Sequence, residues 1–149
     1  MNPAVTNSTC LIGLERIGRL DILPQVFTPI TIPPAVQTEV GISTSWLTVK
    51  APENLSTVQT LKTQVDDGEA EAIALALEVK NVIIILDDLS ARRIAQQLQL
   101  KVMGTVGMLI QAKQKNIIPA IKPILESLAE ANFRISDAII DKALELADE

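Results

Sequence analysis

A run of five aliphatic residues at 82–86, VIIIL, constrains the fold of this chain more than any other feature. Four of the five are β-branched, and such a run without polar alternation is typical of a central parallel strand buried on both faces. Residues 69–79, rich in Ala, Leu and Glu, and residues 91–98 predict helices on either side of it. This order indicates right-handed βαβ units and an open parallel sheet, an α/β fold.

The alternation of strands and helices extends over most of the chain. Further strands are predicted at 3–6, 30–32, 101–103 and 46–50, the last at an edge of the sheet. Further helices are predicted around 11–17, 21–27, 35–40, 55–65, 108–115, 119–131 and from Ser136 onward. No linker divides the 149 residues, which is a length typical of one domain. We therefore expect a single domain over residues 1–149, with the helices of about 119–149 packed on it.

The composition restricts the chemistry that is open to this chain. It has no histidine, which removes Ser-His and Cys-His catalysis and histidine-ligated zinc sites. Its one cysteine, Cys10, cannot form an intramolecular disulfide, which fits a reducing cytoplasm. Carboxylates are the best remaining candidates, and they suit hard cations such as Mg²⁺ or Mn²⁺.

Charge and hydropathy exclude several classes of protein. The net charge of −5 argues against a protein that coats nucleic acid non-specifically. Three aromatic residues in the whole chain cannot build a platform for stacking unpaired bases. The longest apolar runs are far shorter than the ~20 residues of a membrane span, and no signal peptide is recognisable. We expect a cytoplasmic protein without a membrane partner.

Polar side chains lie after the predicted strands or in the first turns of the neighbouring helices. They are Asn7 after the first strand, Glu39 after the second, Glu69 and Glu71 before the strand at 82–86, and Asp87 and Asp88 at its end. Sites of open α/β sheets lie outside the carboxyl ends of the strands. Converging carboxylates repel one another unless a cation neutralises them, so a divalent metal site is one interpretation.

A structural interpretation of the same residues stays open. Acidic residues favour the first turn of a helix because of the helix dipole, which accounts for Glu39, Glu69 and Glu71 without any metal. Asp87 and Asp88 equally well cap the following helix. Arg92 lies near the start of that helix, where it either binds RNA phosphates or belongs to a solvated surface.

Several segments together resemble the PIN-like domain family, in particular a prokaryotic branch of toxin-type nucleases. The segments are VTNST at 5–9, IGRLD at 17–21, IPPAV at 32–36 leading to Glu39, DGEAEAIALA at 67–76, LDD at 86–88 with ARR at 91–93, and GTVG at 104–107. The resemblance spans about residues 3–115, and the C-terminal helices also fit that branch. It implies a three-layer fold with a short central parallel sheet between helices.

The resemblance also implies an activity, which is metal-dependent cleavage of RNA with Mg²⁺ or Mn²⁺ held by acidic residues. The four acidic positions of the family fall on Asn7, Glu39, Glu69 and Asp87 or Asp88. At Asn7 an amide replaces the expected carboxylate, which keeps an oxygen ligand but loses a negative charge. The residues expected in support are Thr9, Asp67, Glu71, Arg92 and Thr105.

Three functions follow as hypotheses. The first is a ribonuclease toxin with a small antitoxin protein as partner, acting on RNA and assembling as a homodimer through its C-terminal helices. The second is a degenerate PIN-like domain that binds protein or RNA without cleaving it, which the amide of Asn7 favours. The third is a phosphatase or regulatory α/β domain with a carboxylate site.

Overall fold

A five-stranded, wholly parallel sheet forms the centre of the molecule in a computed structural model that describes residues 2–149. The strands are β1 (Asn2–Thr6), β2 (Phe27–Ile32), β3 (Leu47–Val49), β4 (Ile83–Ile85) and β5 (Lys101–Met103). Their order across the sheet is β3-β2-β1-β4-β5. The sequence predictions of an interior strand at 82–86 and of an edge strand at 46–50 are confirmed.

The helices of the described residues follow the strands with short connections. They are α1 (Ser8–Arg16), α2 (Leu23–Val26), α3 (Pro34–Val40), α4 (Leu55–Leu61), α5 (Asp67–Val79), α6 (Leu89–Gln97), α7 (Thr105–Gln114), α8 (Lys122–Glu130) and α9 (Asp137–Leu146). Side chains at their N-caps explain where several of them begin. The Ser136 side chain, for example, accepts a hydrogen bond from the Ile139 N–H at the start of α9.

Several boundaries differ by a few residues from the sequence prediction, including those around Phe27. The helix predicted at 21–27 is a 3₁₀ turn at Leu20–Ile22 followed by α2, and Phe27 already belongs to β2. The β1–β2 register is irregular between the pairs Asn2–Phe27 and Ala4–Ile30. This irregularity accommodates Pro29, which has no N–H to donate to a ladder, and the strand therefore extends across a proline.

The two faces of the sheet are both covered, so the molecule has three layers. Side chains alternate along each strand, and Ala4 and Ile85 belong to one buried cluster while Val5 and Ile84 belong to the other. Helices α4, α5 and α6 cover the Val5 face, and α1, α2, α7, α8 and α9 cover the Ala4 face. Burial of each such aliphatic side chain contributes about 1.5–3 kcal/mol, so the strands are held mainly by these two aliphatic layers.

The C-terminal helices extend the Ala4 face. Helix α8 contacts α1, and α9 contacts α7. The Glu149 carboxylate accepts hydrogen bonds from the Ile121 and Lys122 N–H groups at the start of α8, at 2.8 and 3.1 Å. Within residues 2–149, each helix is too short or too polar to cross a bilayer.

Candidate functional site

The carboxyl ends of β1, β4 and β5 are neighbours in the sheet, and each is followed at once by the N-terminus of a helix. Asn7 begins α1, Asp87 and Asp88 precede α6, and Thr105 begins α7. The parallel arrangement therefore brings these side chains to one edge of the sheet, where sites of open α/β proteins lie.

Asn7 has a structural role at this edge. It is 3% exposed, and its Oδ1 accepts a hydrogen bond from the Cys10 N–H at 3.3 Å, which caps α1. Its own N–H donates to the Ile85 carbonyl at 3.1 Å and ties the end of β1 to β4. Thr9 is exposed in the first turn of α1. The fold therefore orients the amide oxygen at position 7, but one of its lone pairs already accepts the hydrogen bond that caps α1.

Both carboxylate oxygens of Asp87 accept hydrogen bonds from a single residue. The Thr105 N–H donates to its Oδ1 at 2.9 Å, and the fully buried Thr105 hydroxyl donates to its Oδ2 at 2.6 Å. The Arg92 guanidinium lies beside Gly104. A Cβ built at Gly104 would be 2.5 Å from Arg92 Nη1 and 3.2 Å from Asp87 Oδ1, so the two charged groups are close to each other. Asp87 is therefore held rigidly next to a positive charge.

Cys10 is buried against this carboxylate. Burial, and secondarily the negative charge of Asp87, raise the pKa of the Cys10 thiol to about 12. The thiol consequently stays protonated near neutral pH, and it packs as a small apolar side chain rather than acting as a nucleophile.

Glu39 lies against the first turn of α5. The Ser8 hydroxyl donates to Glu39 Oε2 at 2.8 Å, and Glu39 Oε1 occupies the space that a Cβ at Gly68 would need. The absence of a side chain at position 68 thus lets a carboxylate from α3 approach the α5 N-terminus. The favourable dipole at that terminus is a physical reason for this approach.

Glu69 directly follows Gly68, and its carboxylate has the most strongly shifted pKa at this edge. It forms a capping box with Asp66, whose Oδ1 accepts from the Glu69 N–H at 2.8 Å. Burial first, and then the nearby negative charges of Asp66 and Asp88, together raise the pKa of Glu69 to about 7. Asp88 itself caps α6 by accepting from the Ala91 N–H at 2.9 Å. These carboxylates are close enough to repel one another.

Two of the predicted supporting residues have other surroundings. Glu71 Oε1 accepts a hydrogen bond from the Ala35 N–H at 3.1 Å, so this side chain connects α5 to the N-terminus of α3. Asp67 is exposed in the first turn of α5. The structural interpretation therefore applies to Asp88, which caps α6, and to Glu69, which lies in the first turn of α5. It is wrong for Glu71, which lies beyond that first turn, and for Glu39, which lies near the C-terminal end of α3.

The oxygen ligands of this edge have the chemistry that a hard divalent cation requires. Within residues 2–149, no group of three Asp, Glu, Cys or His side chains is arranged to enclose a metal ion. Asp87 lies in one half of the edge, while Glu39, Glu69 and Asp88 belong to the other half. The expected meeting of Asn7, Glu39, Glu69 and Asp87 around one cation remains a prediction.

A groove that no sequence pattern predicted opens beside Asp87. It has a volume of about 1260 Å³ and lies between one face each of α1, α7 and α9. The faces show helical spacing in the sequence, as in Thr9, Ile12, Gly13 and Arg16 of α1. That pattern identifies a helix face, but it does not reveal that residues 2–149 leave this face uncovered.

Comparison with known proteins supports the resemblance seen in the motifs. A search of curated proteins finds no match. A model of the family DUF3368, described as a PIN domain, matches residues 3–149 and so includes every strand at the acidic edge as well as α8 and α9. With a match over nearly its whole length, and with the parallel sheet that the resemblance implies, the chain belongs to the DUF3368 family of PIN domains.

Proposed function

We propose that this protein is a ribonuclease that depends on Mg²⁺ or Mn²⁺ and that it is the toxin of a toxin–antitoxin pair. A PIN domain is a nuclease-type domain and is generally dependent on a divalent metal. The observation that carries the proposal is the raised pKa of Glu69 beside Asp66 and Asp88, next to the position where Glu39 approaches α5. A cation at this edge would offset both the cost of desolvating the charged Glu69 side chain and the repulsion among these carboxylates.

Each residue has a separate role in this proposal. Glu39, Glu69, Asp87 and Asp88, with the Asn7 amide oxygen, would hold the cation. When bound, the cation would lower the pKa of an attacking water and stabilise the leaving oxygen of a phosphodiester. Ser8 orients Glu39, and Thr105 orients Asp87, through the hydrogen bonds described above. Arg92, beside Asp87, would bind a substrate phosphate.

Cleavage of a labelled, unstructured RNA with and without Mn²⁺ or Mg²⁺ tests this function. We expect metal-dependent cleavage that falls by about 100-fold or more in Glu39→Gln, because the isosteric amide removes a negative charge that would hold the cation, and the cation stabilises the charge that develops in the transition state. Glu15→Gln, at an exposed position near the other end of α1, is the control and should cleave like the parent. Equal rates in the parent and Glu39→Gln would exclude the proposed site.

A second function is favoured by the surroundings of Asn7. Its amide has no negative charge and already accepts a hydrogen bond from Cys10, so the site lacks one carboxylate of the expected set. A PIN domain without cleavage would bind RNA or protein through the same edge. RNA binding that is unaffected by metal, with no cleavage at any metal concentration, would favour this alternative.

The remaining parts of the proposal concern assembly and location. We propose a small antitoxin protein as partner, a cytoplasmic location, one domain over residues 1–149 and a homodimer that buries apolar surface of the C-terminal helices. Ile139 and Leu146 support the last point, since they are 52% and 57% exposed on α9. A dimer mass by light scattering at micromolar concentration is expected, and a monomer mass would contradict it.

A further inference from the structure

The buried polar side chains of residues 2–149 lie together beneath the acidic edge. They are Thr6 at the end of β1, Asn7 directly after it and Thr105 at the start of α7, and each is at most 3% exposed. Because β4 lies between β1 and β5 in the sheet, Asp87, which follows β4, lies near the starts of α1 and α7. Polar groups buried in an otherwise aliphatic interior require hydrogen-bond partners, so the donors and acceptors of this cluster can be counted.

Cys10 completes this cluster from the first turn of α1. Its side chain is fully buried, and the thiol lies within hydrogen-bonding reach of the Thr105 and Thr6 hydroxyls. Helices α1 and α7 both cover the Ala4 face and begin at the same edge, which brings residues 10 and 105 together. The thiol therefore lies next to the hydroxyl that donates to Asp87.

The hydrogens of this cluster determine the direction of its bonds. A hydroxyl has one hydrogen to donate and lone pairs with which to accept. The Thr105 hydroxyl donates to Asp87 Oδ2 at 2.6 Å, and the Thr6 hydroxyl donates to the Asn7 carbonyl at 3.2 Å. Both hydroxyl hydrogens are therefore in use, and towards Cys10 each oxygen can act as an acceptor alone. The Cys10 S–H is the donor for one of these two oxygens.

The Thr105 oxygen is the better acceptor of the two. Hydrogen bonds in series polarise one another, and the effect is larger in a buried site of low dielectric. Thr105 donates to a carboxylate through a short, charge-assisted bond, whereas Thr6 donates to a neutral carbonyl over a longer distance. The Thr105 oxygen therefore carries more negative charge, and the carboxylate of Asp87 beyond it also attracts the thiol hydrogen.

We propose that Cys10 is a positioning residue of the acidic edge, whose S–H donates to Thr105 Oγ1 and fixes the Thr105 hydroxyl in the orientation that donates to Asp87. With this hydroxyl fixed, Asp87 Oδ2 has one defined donor, and its remaining lone pairs stay available to a cation. Only this last step, the benefit to a bound cation, rests on the proposed nuclease function. Cys10 is fully buried, so it acts through Thr105 and touches neither cation nor substrate.

Infrared spectroscopy of the S–H stretching vibration tests this bond on the full chain, without metal. Cys10 is the one cysteine of the sequence, so the protein has a single S–H band. Donation weakens the S–H bond, and Thr105→Val should therefore shift the band to higher wavenumber, while Thr105→Ser should keep it near the parent position. Asp87→Asn, which removes the polarising charge, should give a smaller shift of the same sign. Thr6→Val and the exposed control Thr60→Val should leave the band in place.

Urea titrations measure whether Cys10 and Thr105 act together. Cys10→Ala removes the donor, whereas Cys10→Ser keeps one, and the two variants leave similar space. The unfolding equilibrium constant should rise about threefold more in Cys10→Ala than in Cys10→Ser. In a Thr105→Val background this difference between alanine and serine should disappear, because the acceptor is gone. An S–H band that ignores Thr105→Val and Asp87→Asn, or that shifts in Thr6→Val alone, would overturn the inference. A difference between alanine and serine that persists without the Thr105 hydroxyl would do so as well.

Calorimetric titration with Mn²⁺ tests the link to the proposed function. Removing a direct partner of a metal ligand costs ~10-fold or more in affinity, and Cys10 acts one residue further away, so Cys10→Ala should weaken Mn²⁺ binding by about threefold. Cys10→Ser should recover most of that loss. Equal affinities in the parent, Cys10→Ala and Cys10→Ser would contradict the benefit to a cation. A parent that binds no Mn²⁺ would contradict the proposed nuclease, while the S–H band and the urea titrations would still test Cys10, so the two proposals fail separately.

Discussion

The two halves of the acidic edge hold their carboxylates in opposite ways. Asp87 accepts hydrogen bonds from the buried Thr105 on both oxygens and has a guanidinium beside it, so its charge is partly balanced before any cation binds. Glu69 is half-buried among the carboxylates of Asp66 and Asp88, and its pKa is raised to about 7. The first half is organised by the fold, while the second half has an excess of negative charge.

This difference shows which half would respond to a cation. A carboxylate whose oxygens already accept hydrogen bonds is stabilised less by a bound metal than a carboxylate that is desolvated and repelled by its neighbours. We therefore expect changes on the Asp87 side to affect folding stability in the absence of metal. Changes on the Glu69 side should affect mainly the dependence on metal and on pH.

The largest effect on stability is expected from Thr105→Val. The substitution removes the hydroxyl that donates to Asp87 Oδ2 at 2.6 Å and leaves a charged acceptor unsatisfied beside a buried methyl group. Hydrogen bonds to charged groups contribute about 1.5–3 kcal/mol, so we expect the free energy of unfolding to fall by about 2 kcal/mol in urea titrations.

Two variants make this result specific. Thr60→Val removes an exposed hydroxyl that donates to the Ser56 carbonyl at 3.0 Å, and it should change stability by less than about 0.5 kcal/mol. Thr105→Ser keeps the hydroxyl and should recover much of the loss. If Thr105→Val proves as stable as the parent, the Asp87 half is not organised as described.

A smaller effect, visible mainly with metal, is expected from Asn7→Asp. Aspartate caps a helix as well as asparagine does, so α1 should persist while a negative charge is added near the other carboxylates. Without metal the added repulsion should lower the melting temperature. With Mg²⁺ or Mn²⁺ the variant should show a larger rise in melting temperature than the parent, because a ligand of the folded state stabilises it by mass action.

Asn54→Asp is the matched control for this comparison. Asn54 caps α4 in the same way, by accepting from the Thr57 N–H at 3.1 Å, and it is exposed. Its substitution should not change the response to metal. Equal metal responses of the parent and Asn7→Asp would mean that position 7 is no ligand, and the function without cleavage would then be favoured.

The smallest effect concerns pH. The pKa of Glu69 is raised in the folded protein to about 7, so the folded state binds the proton more tightly than the unfolded state. Its contribution is present below the ordinary pKa of glutamate and is lost as pH rises to about 7. Solvent screens a half-exposed group, so we expect a decline of only about 1 kcal/mol across this window.

Glu69→Gln should flatten this part of the stability profile in denaturant titrations at several pH values. Glutamine still completes a capping box, so α5 is kept. Glu149→Gln provides a contrast of opposite sign. Hydrogen bonding from the Ile121 N–H lowers the pKa of Glu149, so its contribution is lost as pH falls below the usual range of a glutamate. An unchanged profile in Glu69→Gln would contradict the crowding of the second half.

Much of the fold could be predicted from the sequence because the patterns are local. The β-branched run at 82–86 predicts an interior strand, and Asn7, Asp88 and Ser136 have side chains that cap helices over three residues. The boundaries around Phe27 could not be predicted, since they depend on an irregular register with β1, a strand some twenty residues away in the chain.

The candidate site divides in the same way. The sequence by itself determined which side chains follow the strands at the acidic edge, because parallel strands end on one side of the sheet. Only the tertiary structure decided that Glu71 caps α3, that Thr105 bonds Asp87 and that α1, α7 and α9 leave a groove open. Those contacts join segments separated by 18 to more than 100 residues, and no local pattern specifies which distant group will occupy the space beside a side chain.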